Sequence, residues 1–237
     1  MRSGQVAVKY RCEGTIEREL RARGFHAVAG IDEAGRGSLF GPVFAAAVIL
    51  SPGRPIRGLN DSKQIEPERR EVLAERIRER AVAWSVAAVD AATIDCVNIY
   101  QASKMAMRMA VASLQPAPDF LLIDAMPLDL AIPQRPLIKG DERCHAIAAA
   151  SILAKVGRDE CMRIWHAIFP AYNLADNKGY STPDHMQALK VTGPTPLHRL
   201  SFEPVRAAAL FPVDADPWDS LQLDLFQEEQ TKAAACH

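Results

Sequence analysis

The chain has 237 residues, of which 49% are hydrophobic and 24% are charged, and its formal net charge is −1. These values describe a globular protein that can bury an ordinary core. No apolar run in the sequence approaches the roughly 20 residues that cross a bilayer, so we expect no membrane association. The five cysteines are scattered without a Cys-x-x-Cys pair, which argues against a disulfide framework or structural zinc and indicates a cytoplasmic protein.

The predicted elements alternate between short apolar strands and longer helices. In chain order we expect a helix at 15–23, strands at 27–32 and 42–50, a helix at 67–81, a strand at 84–89, a helix at 93–114, strands at 120–124 and 135–139, a long helix at 142–169, a short helix after the loop 173–183, and a last helix at 204–210. Strands that first follow one another and then alternate with helices predict an α/β fold with a mixed sheet covered by helices.

The C-terminal segment differs in charge from the rest of the chain. Residues 213–237 hold six acids and one base, which leaves 27 basic and 23 acidic residues elsewhere. A mildly basic body is compatible with binding to phosphate groups. We therefore expect one catalytic domain over residues 1–212 and an acidic, disordered tail over 213–237.

Acidic residues end two of the predicted strands. Asp32 and Glu33 close the first strand, and Asp124 closes the fourth. Ligands collect at strand ends in open sheets, and carboxylate oxygens suit a hard cation such as Mg²⁺. Because side chains alternate along a strand, Asp32 and Glu33 reach one metal only if the backbone turns between them. The sequence predicts metal-assisted chemistry on a phosphate at this edge.

A polar stripe on the long helix supplies a further predicted acid. Ser151, Lys155 and Asp159 are spaced by four and therefore share one face. The surrounding residues 147–153 are almost wholly apolar and small, so the helix is expected to be buried. Buried charges need partners or a metal, and we therefore count Asp159 among the functional carboxylates.

Three short polar motifs are less decisive taken singly. Asp61-Ser62-Lys63 is as consistent with a simple cap before a helix as with a functional site. Lys139-Gly140-Asp141 is likewise as consistent with an ordinary turn. Lys178-Gly179-Tyr180 sets an aromatic ring beside a base and a glycine, which suits stacking on a sugar or base.

Taken together, the ordered motifs resemble those of ribonuclease HII, the bacterial type 2 ribonuclease H family, over about residues 14–206. The motifs are GIDEAGRGSLFGPVFAAAVIL (30–50), DSK (61–63), LLIDA (121–125), KGD (139–141), IAAASILAKVGRD (147–159), KGYST (178–182) and GPTPLHRLSFEPV (193–205). The resemblance implies a ribonuclease H-like fold with a five-stranded mixed sheet and a C-terminal helical portion. It also implies an endonuclease that uses Mg²⁺ or Mn²⁺ to cut RNA in RNA–DNA hybrids, and to cut 5′ of single ribonucleotides in duplex DNA, leaving 3′-hydroxyl and 5′-phosphate ends.

The resemblance further assigns roles to individual residues. By motif position the metal ligands and catalytic residues are Asp32, Glu33, Asp124 and Asp159, and the substrate-binding residues are Gly35, Arg36, Gly37, Lys63, Ser151, Lys155 and Tyr180. The glycine–arginine–glycine loop is implied to read the ribose 2′-hydroxyl, and Tyr180 to sense the RNA–DNA junction. The chain departs from the family pattern at Ser181, where glycine is common, and at Gln64 and Ile65 after the DSK motif.

Three other functions fit parts of the sequence less well. A ribonuclease HIII-type enzyme usually carries an extra N-terminal domain, for which about 26 residues before the first strand leave little room. A nucleotide-binding oxidoreductase, suggested by the glycines at 35, 37 and 41, would put a pyrophosphate beside two acids. A non-catalytic hybrid-binding module is disfavoured by four intact acids.

The tail contains a second motif, which suggests a protein partner. Gln222, Leu223, Leu225 and Phe226 resemble the short peptide by which bacterial repair proteins dock on the DNA sliding clamp. A disordered tether suits such docking. We expect the protein itself to be a monomer.

Overall fold

The computed structural model describes Cys12 and residues 14–210. The predicted domain limit at residue 212 and the clamp-type peptide at 222–226 lie outside these residues. The strands are β1 (Val28–Ala34), β2 (Val43–Ile49), β3 (Ala83–Val89), β4 (Phe120–Asp124) and β5 (Gln134–Leu137). The α-helices are α1 (Thr15–Ala22), α2 (Pro67–Arg80), α3 (Ala91–Val97), α4 (Ile99–Ala112), α5 (His145–Ile168), α6 (Leu174–Asn177), α7 (Pro183–Thr192) and α8 (Glu203–Leu210).

The five strands form one mixed sheet in the order β3-β2-β1-β4-β5. Strand β2 runs antiparallel to both β1 and β3, whereas β1, β4 and β5 are parallel. Helix α4 packs on one face of the sheet, and α5 with α2 covers the other. The predicted α/β class and five-stranded mixed sheet are therefore confirmed, as is the helical C-terminal portion formed by α6, α7 and α8. None of the described helices is long and apolar enough to cross a membrane.

The register of the parallel strands brings the acidic strand ends together. Ile31 pairs with Ile123 across β1 and β4, so Asp32 and Asp124 follow at neighbouring positions on the same edge. Helix α5 lies directly against β1 because Gly30 has no side chain. A Cβ at Gly30 would be 2.0 Å from the carbonyl carbon of Ala146. The glycine thus lets α5 carry its residues close to the acidic edge.

Two predicted helices differ from the observed ones. The stretch 93–114 forms two helices, because Asn98 adopts φ 70° and its side chain accepts the Gln101 N–H at 3.1 Å as the cap of α4. The long helix begins at His145 rather than 142. Lys139 has φ 53°, and a 3₁₀ turn at Gly140–Glu142 precedes the helix.

Candidate active site

Asp32 is the most deeply buried carboxylate at the acidic edge, with 5% of its surface exposed. Burial raises its pKa well above the ordinary value, and the charges of Glu33 and Asp124 raise it further. Its Oδ1 accepts the Glu33 N–H at 2.7 Å, and a hydrogen bond from Ser151 also favours its ionised form. Three carboxylates therefore share one electrostatic environment at the ends of β1 and β4.

Glu33 has one carboxylate oxygen engaged and one free. Oε1 accepts from Nη1 of Arg36 at 3.2 Å, whereas Oε2 is buried and has no hydrogen-bond partner among the described residues. Burial raises the pKa of Glu33; the Arg36 guanidinium opposes this rise, and Asp124 adds to it. A buried, unpartnered carboxylate oxygen beside two other acids is an arrangement that a cation would stabilise.

The structure adds an acid that the predicted set omits, Asp141. The turn after β5 is tied to β4, since the Gly140 N–H donates to Oδ1 of Asp124 at 2.8 Å. Burial raises the pKa of Asp141 to about 6, with further contributions from Asp61 and Asp124, while Lys63 acts in the opposite direction. The signal in the sequence was the Lys139-Gly140-Asp141 turn, which directly follows a strand parallel to β4.

Asp159, by contrast, lies with two cations. Its Oδ1 contacts Lys155 Nζ at 2.5 Å, and its Oδ2 contacts Arg70 Nη1 at 3.3 Å. Asp159 is also eight residues beyond Ser151 on α5, which corresponds to about 12 Å along the helix axis. The structure thus brings Asp32, Glu33 and Asp124 together with Asp141, and it gives Asp159 a separate, charge-paired environment.

The carboxylates fit a divalent cation in their chemistry. Several carboxylate oxygens lie close together, and burial with neighbouring negative charges raises the pKa values of Asp32 and Asp141. With Glu33 Oε2, which has no hydrogen-bond partner among the described residues, these features favour a hard cation. Within Cys12 and residues 14–210, however, no group of three or more His, Cys, Asp or Glu side chains is already arranged to hold an ion.

The seven predicted substrate-binding residues line one cavity of about 480 Å³ beside these acids. The lining residues are Glu33, Ala34, Gly35, Arg36, Gly37, Ser62, Lys63, Ser151, Lys155 and Tyr180. Burial lowers the pKa of Lys63, but the nearby acids Asp61 and Asp32 outweigh it, so the net shift is upward and the amine is cationic. A cavity with ammonium groups, bare glycine backbone and an aromatic ring suits a sugar–phosphate ligand.

Direct hydrogen bonds join the loop Gly35–Gly37 to the segment that carries Tyr180. Ser38 Oγ donates to the carbonyls of Phe40 and Gly179, both at 2.9 Å, and the Leu39 N–H donates to Gly179 O at 2.8 Å. Gly179 has φ 77°, and a Cβ there would lie 2.8 Å from Ser38 Oγ. The close contact requires glycine and fixes the two segments relative to each other.

A pair of buried histidines is hydrogen-bonded to the backbone carbonyl of Tyr180. The Thr195 N–H donates to His198 Nδ1 at 2.9 Å, so we assign the His198 proton to Nε2, 3.1 Å from His185 Nε2. His185 then donates from Nδ1 to the Tyr180 carbonyl at 2.9 Å. Burial lowers the pKa of both rings, that of His198 to about 3, so both are neutral at ordinary pH. The spacing of His185 and His198 in the sequence gives no indication that the two rings meet.

The sheet order, the acids at the ends of β1 and β4 and the cavity beside them are the arrangement of a nuclease of the ribonuclease H-like class, and comparisons with known proteins agree. Residues 29–205 match the family model described as Ribonuclease HII. The Ribonuclease HII of Solibacter usitatus is 73% identical over 226 residues, covering 95% of this chain and 97% of that protein. The chain therefore belongs to the ribonuclease HII family and is a ribonuclease H endonuclease that acts on nucleic acid. Ribonucleases H use divalent metal ions.

Solved structures support the same fold. The ribonuclease H2 from Pyrococcus horikoshii superposes with a TM-score of 0.66 at 25% identity, covering 77% of this chain and 97% of that one. The RNase HII of Archaeoglobus fulgidus, solved in a complex with PCNA, gives 0.64 at 27% identity, with coverage of 79% and 98%.

Proposed function

We propose that this endonuclease cuts the RNA strand of RNA–DNA hybrids and cuts 5′ of single ribonucleotides embedded in duplex DNA, leaving 3′-hydroxyl and 5′-phosphate ends. The observation that carries the proposal is the single cavity in which Gly35, Gly37 and Tyr180 lie beside Glu33. Only the 2′-hydroxyl distinguishes RNA from DNA at one nucleotide. Backbone without Cβ atoms can approach that group, and the Tyr180 ring can stack on the neighbouring sugar.

In this proposal Mg²⁺ or Mn²⁺ is held by Asp32, Glu33, Asp124 and Asp141. A divalent ion held there would activate a water molecule and stabilise the leaving oxygen of an in-line displacement. Lys63 and Lys155 bind the phosphate backbone beside the ligand acids, and Ser151 orients Asp32 by hydrogen bonding. Asp141 takes the fourth position because its carboxyl interacts with that of Asp124, whereas Asp159 is already charge-paired.

A duplex DNA with one ribonucleotide tests the activity and the cut position together. The strand is labelled at either end and incubated with Mg²⁺, Mn²⁺ or chelator, and an all-DNA duplex of the same sequence is the control. We expect one cut 5′ of the ribonucleotide, extension of the new 3′ end by a DNA polymerase, and no cleavage in chelator. Cleavage of the all-DNA duplex, or undiminished cleavage in chelator, would contradict the proposal.

Asparagine variants of the two alternative acids test the ligand set. Asp141→Asn is expected to abolish cleavage at low metal concentration and to raise the metal concentration needed for half-maximal activity, while leaving hybrid binding measurable. Asp159→Asn is expected to change that metal dependence little. The reverse pattern would restore Asp159 to the ligand set and remove Asp141 from it.

The tail beyond the catalytic domain is proposed to tether the enzyme to the DNA sliding clamp. Gln222, Leu223, Leu225 and Phe226 would be the anchors, and the Archaeoglobus relative solved in a complex with PCNA supports a clamp-binding role. Titration of the full chain against bacterial clamp protein should give saturable binding. The double variant Leu225→Ala, Phe226→Ala should lose clamp binding and keep wild-type cleavage of short duplexes. Equal clamp binding by both proteins would refute the assignment.

The free chain is proposed to be a monomer, and light scattering is expected to give the mass of one chain.

A further inference from the structure

Arg158 on α5 is a buried cation without a carboxylate partner. Its side chain is 0% exposed, and it takes part in none of the ion pairs found among the described residues. The adjacent carboxylate of Asp159 contacts Lys155 and Arg70 instead. Burial lowers the pKa of Arg158, yet a guanidinium keeps its proton. An unpaired buried charge destabilises a fold, so its presence calls for another role.

The guanidinium lies between the two segments that line the ribonucleotide cavity. Nη2 donates to Ser38 Oγ at 2.6 Å, and Cζ lies 5.3 Å from the centroid of the Tyr180 ring. The Arg158 side chain also fills the space that a side chain at Gly35 would need, since a Cβ there would be 2.0 Å from Nε. Arg158 therefore contacts the Gly35–Gly37 loop, the hydroxyl of Ser38 and the ring of Tyr180.

The contacts of Arg158 are incomplete. Nε and Nη1 are buried and have no hydrogen-bond partner in the described part of the chain. Arg199 is similarly buried and holds the same loop from another side, with Nη1 donating to the Arg36 carbonyl at 2.8 Å. Asp159 and Asp95 act on Arg158 and Arg199 electrostatically, but neither arginine forms an ion pair among the described residues. Phosphate groups of an anionic substrate in the cavity would add the negative charge that these two cations lack.

We infer that Arg158 is a positioning residue for ribonucleotide recognition: its guanidinium fixes the spacing between the Gly35–Gly37 loop and the Tyr180 ring. This inference rests on the proposed function. A long hybrid offers a 2′-hydroxyl at every nucleotide, so a displaced loop still finds one. A single ribonucleotide offers one 2′-hydroxyl beside one RNA–DNA junction. Only the correct spacing lets the Gly35–Gly37 loop reach that hydroxyl while the Tyr180 ring contacts the neighbouring sugar. Loss of Arg158 therefore impairs the single-ribonucleotide substrate more than the hybrid.

The test compares Arg158→Met, Arg158→Gln and Arg158→Lys with Arg163→Met. Arg163 is on the same helix but is exposed, where it pairs with Glu71, and serves as the matched control. For each variant, kcat and KM are measured on a single-ribonucleotide duplex and on a continuous hybrid, and Tm is measured by thermal unfolding. The readout is the ratio of the two kcat/KM values, because a purely structural defect lowers both substrates alike.

For Arg158→Met we expect the ratio to fall by about tenfold, the effect of losing a hydrogen bond from a charged group, with Tm not lower than that of Arg163→Met. Arg158→Lys keeps the charge without the fork of donors and is expected to recover the ratio only in part. If the methionine variant does not fold, the lysine and glutamine variants decide. An unchanged ratio in folded variants refutes the inference, whereas a wild-type enzyme that ignores the single ribonucleotide refutes the proposed function instead.

Discussion

Gly140 donates its backbone N–H to Oδ1 of Asp124 at 2.8 Å, so the turn after β5 is held by the carboxylate that ends β4. A Cβ at Gly140 would be 2.5 Å from Cδ1 of Ile147 and 3.3 Å from that same oxygen. The turn that carries Asp141 is therefore packed between α5 and the acidic edge.

Gly140→Ala is expected to displace Asp141 and Asp124 relative to each other. We expect a loss of about 1–3 kcal/mol in the free energy of unfolding from overpacking, together with a higher metal requirement for cleavage. Gly53→Ala is the control, because no atom of the described part of the chain lies within 4 Å of the added methyl. Urea unfolding and metal titration of activity check both effects, and a wild-type metal requirement in Gly140→Ala would count against the role of the turn.

The two glycines of the Gly35–Gly37 loop should respond differently to alanine. Gly35 has φ 92° and its Cβ would be 2.0 Å from Arg158 Nε, whereas a Cβ at Gly37 would have no atom of residues 14–210 within 4 Å. We expect Gly35→Ala to lose about 1–3 kcal/mol of stability and Gly37→Ala to stay within about 0.5 kcal/mol of wild type.

Despite its intact fold, Gly37→Ala is expected to raise KM for the single-ribonucleotide duplex, because the methyl group occupies the space through which the backbone approaches the ribose. Steady-state kinetics on folded protein measure this. A KM equal to that of wild type would show that the backbone at Gly37 does not approach the substrate.

Asp141→Asn and Asp159→Asn should change stability in opposite directions in the presence of chelator. Removing the Asp141 charge relieves repulsion from Asp124 and Asp61 and should raise the free energy of unfolding at pH 8 by on the order of 1 kcal/mol. Removing the Asp159 charge leaves Arg70 and Lys155 without their partner and should lower it by about 2 kcal/mol. Denaturant unfolding at fixed pH distinguishes the two, and equal signs would contradict the charge assignments.

The neutral histidine pair should make stability depend on pH. Burial holds the pKa of His198 at about 3, below its ordinary 6.5. The unfolded chain therefore binds a proton that the folded chain does not. The contribution is complete above about pH 6.5 and is lost as the pH falls toward 3, at about 1.4 kcal/mol per pH unit for one group.

His198→Gln replaces the ring with an amide that does not titrate. Relative to wild type, the variant should show a shallower decrease in unfolding free energy between about pH 6 and pH 4. His185 contacts His198 directly and its pKa is also lowered, so the remaining slope reports His185 and the acids. Parallel pH profiles for the two proteins would contradict a neutral His198.

Local patterns in the sequence predicted most of the fold and part of the site. Apolar runs that end in acids located β1 and β4, and with them Asp32, Glu33 and Asp124. Asp141 was missed because its turn is unremarkable locally; it joins the acids only because β5 lies parallel to β4. Spacing by four put Asp159 on a polar face correctly, but the partner on that face, Arg70, comes from α2 and is invisible to periodicity.

The contact between α5 and Gly30 has a consequence for engineering this enzyme. Since α5 packs against the backbone of β1 at Gly30, the positions of Ser151, Lys155 and Arg158 on this helix are fixed relative to the strand that carries Asp32. A shift of α5 would therefore move the proposed phosphate-binding residue Lys155 and the proposed positioning residue Arg158 together. Variants with altered ribonucleotide preference are therefore best sought in the segments around Gly37 and Ser181. The contact between α5 and β1 at Gly30 is best left unchanged.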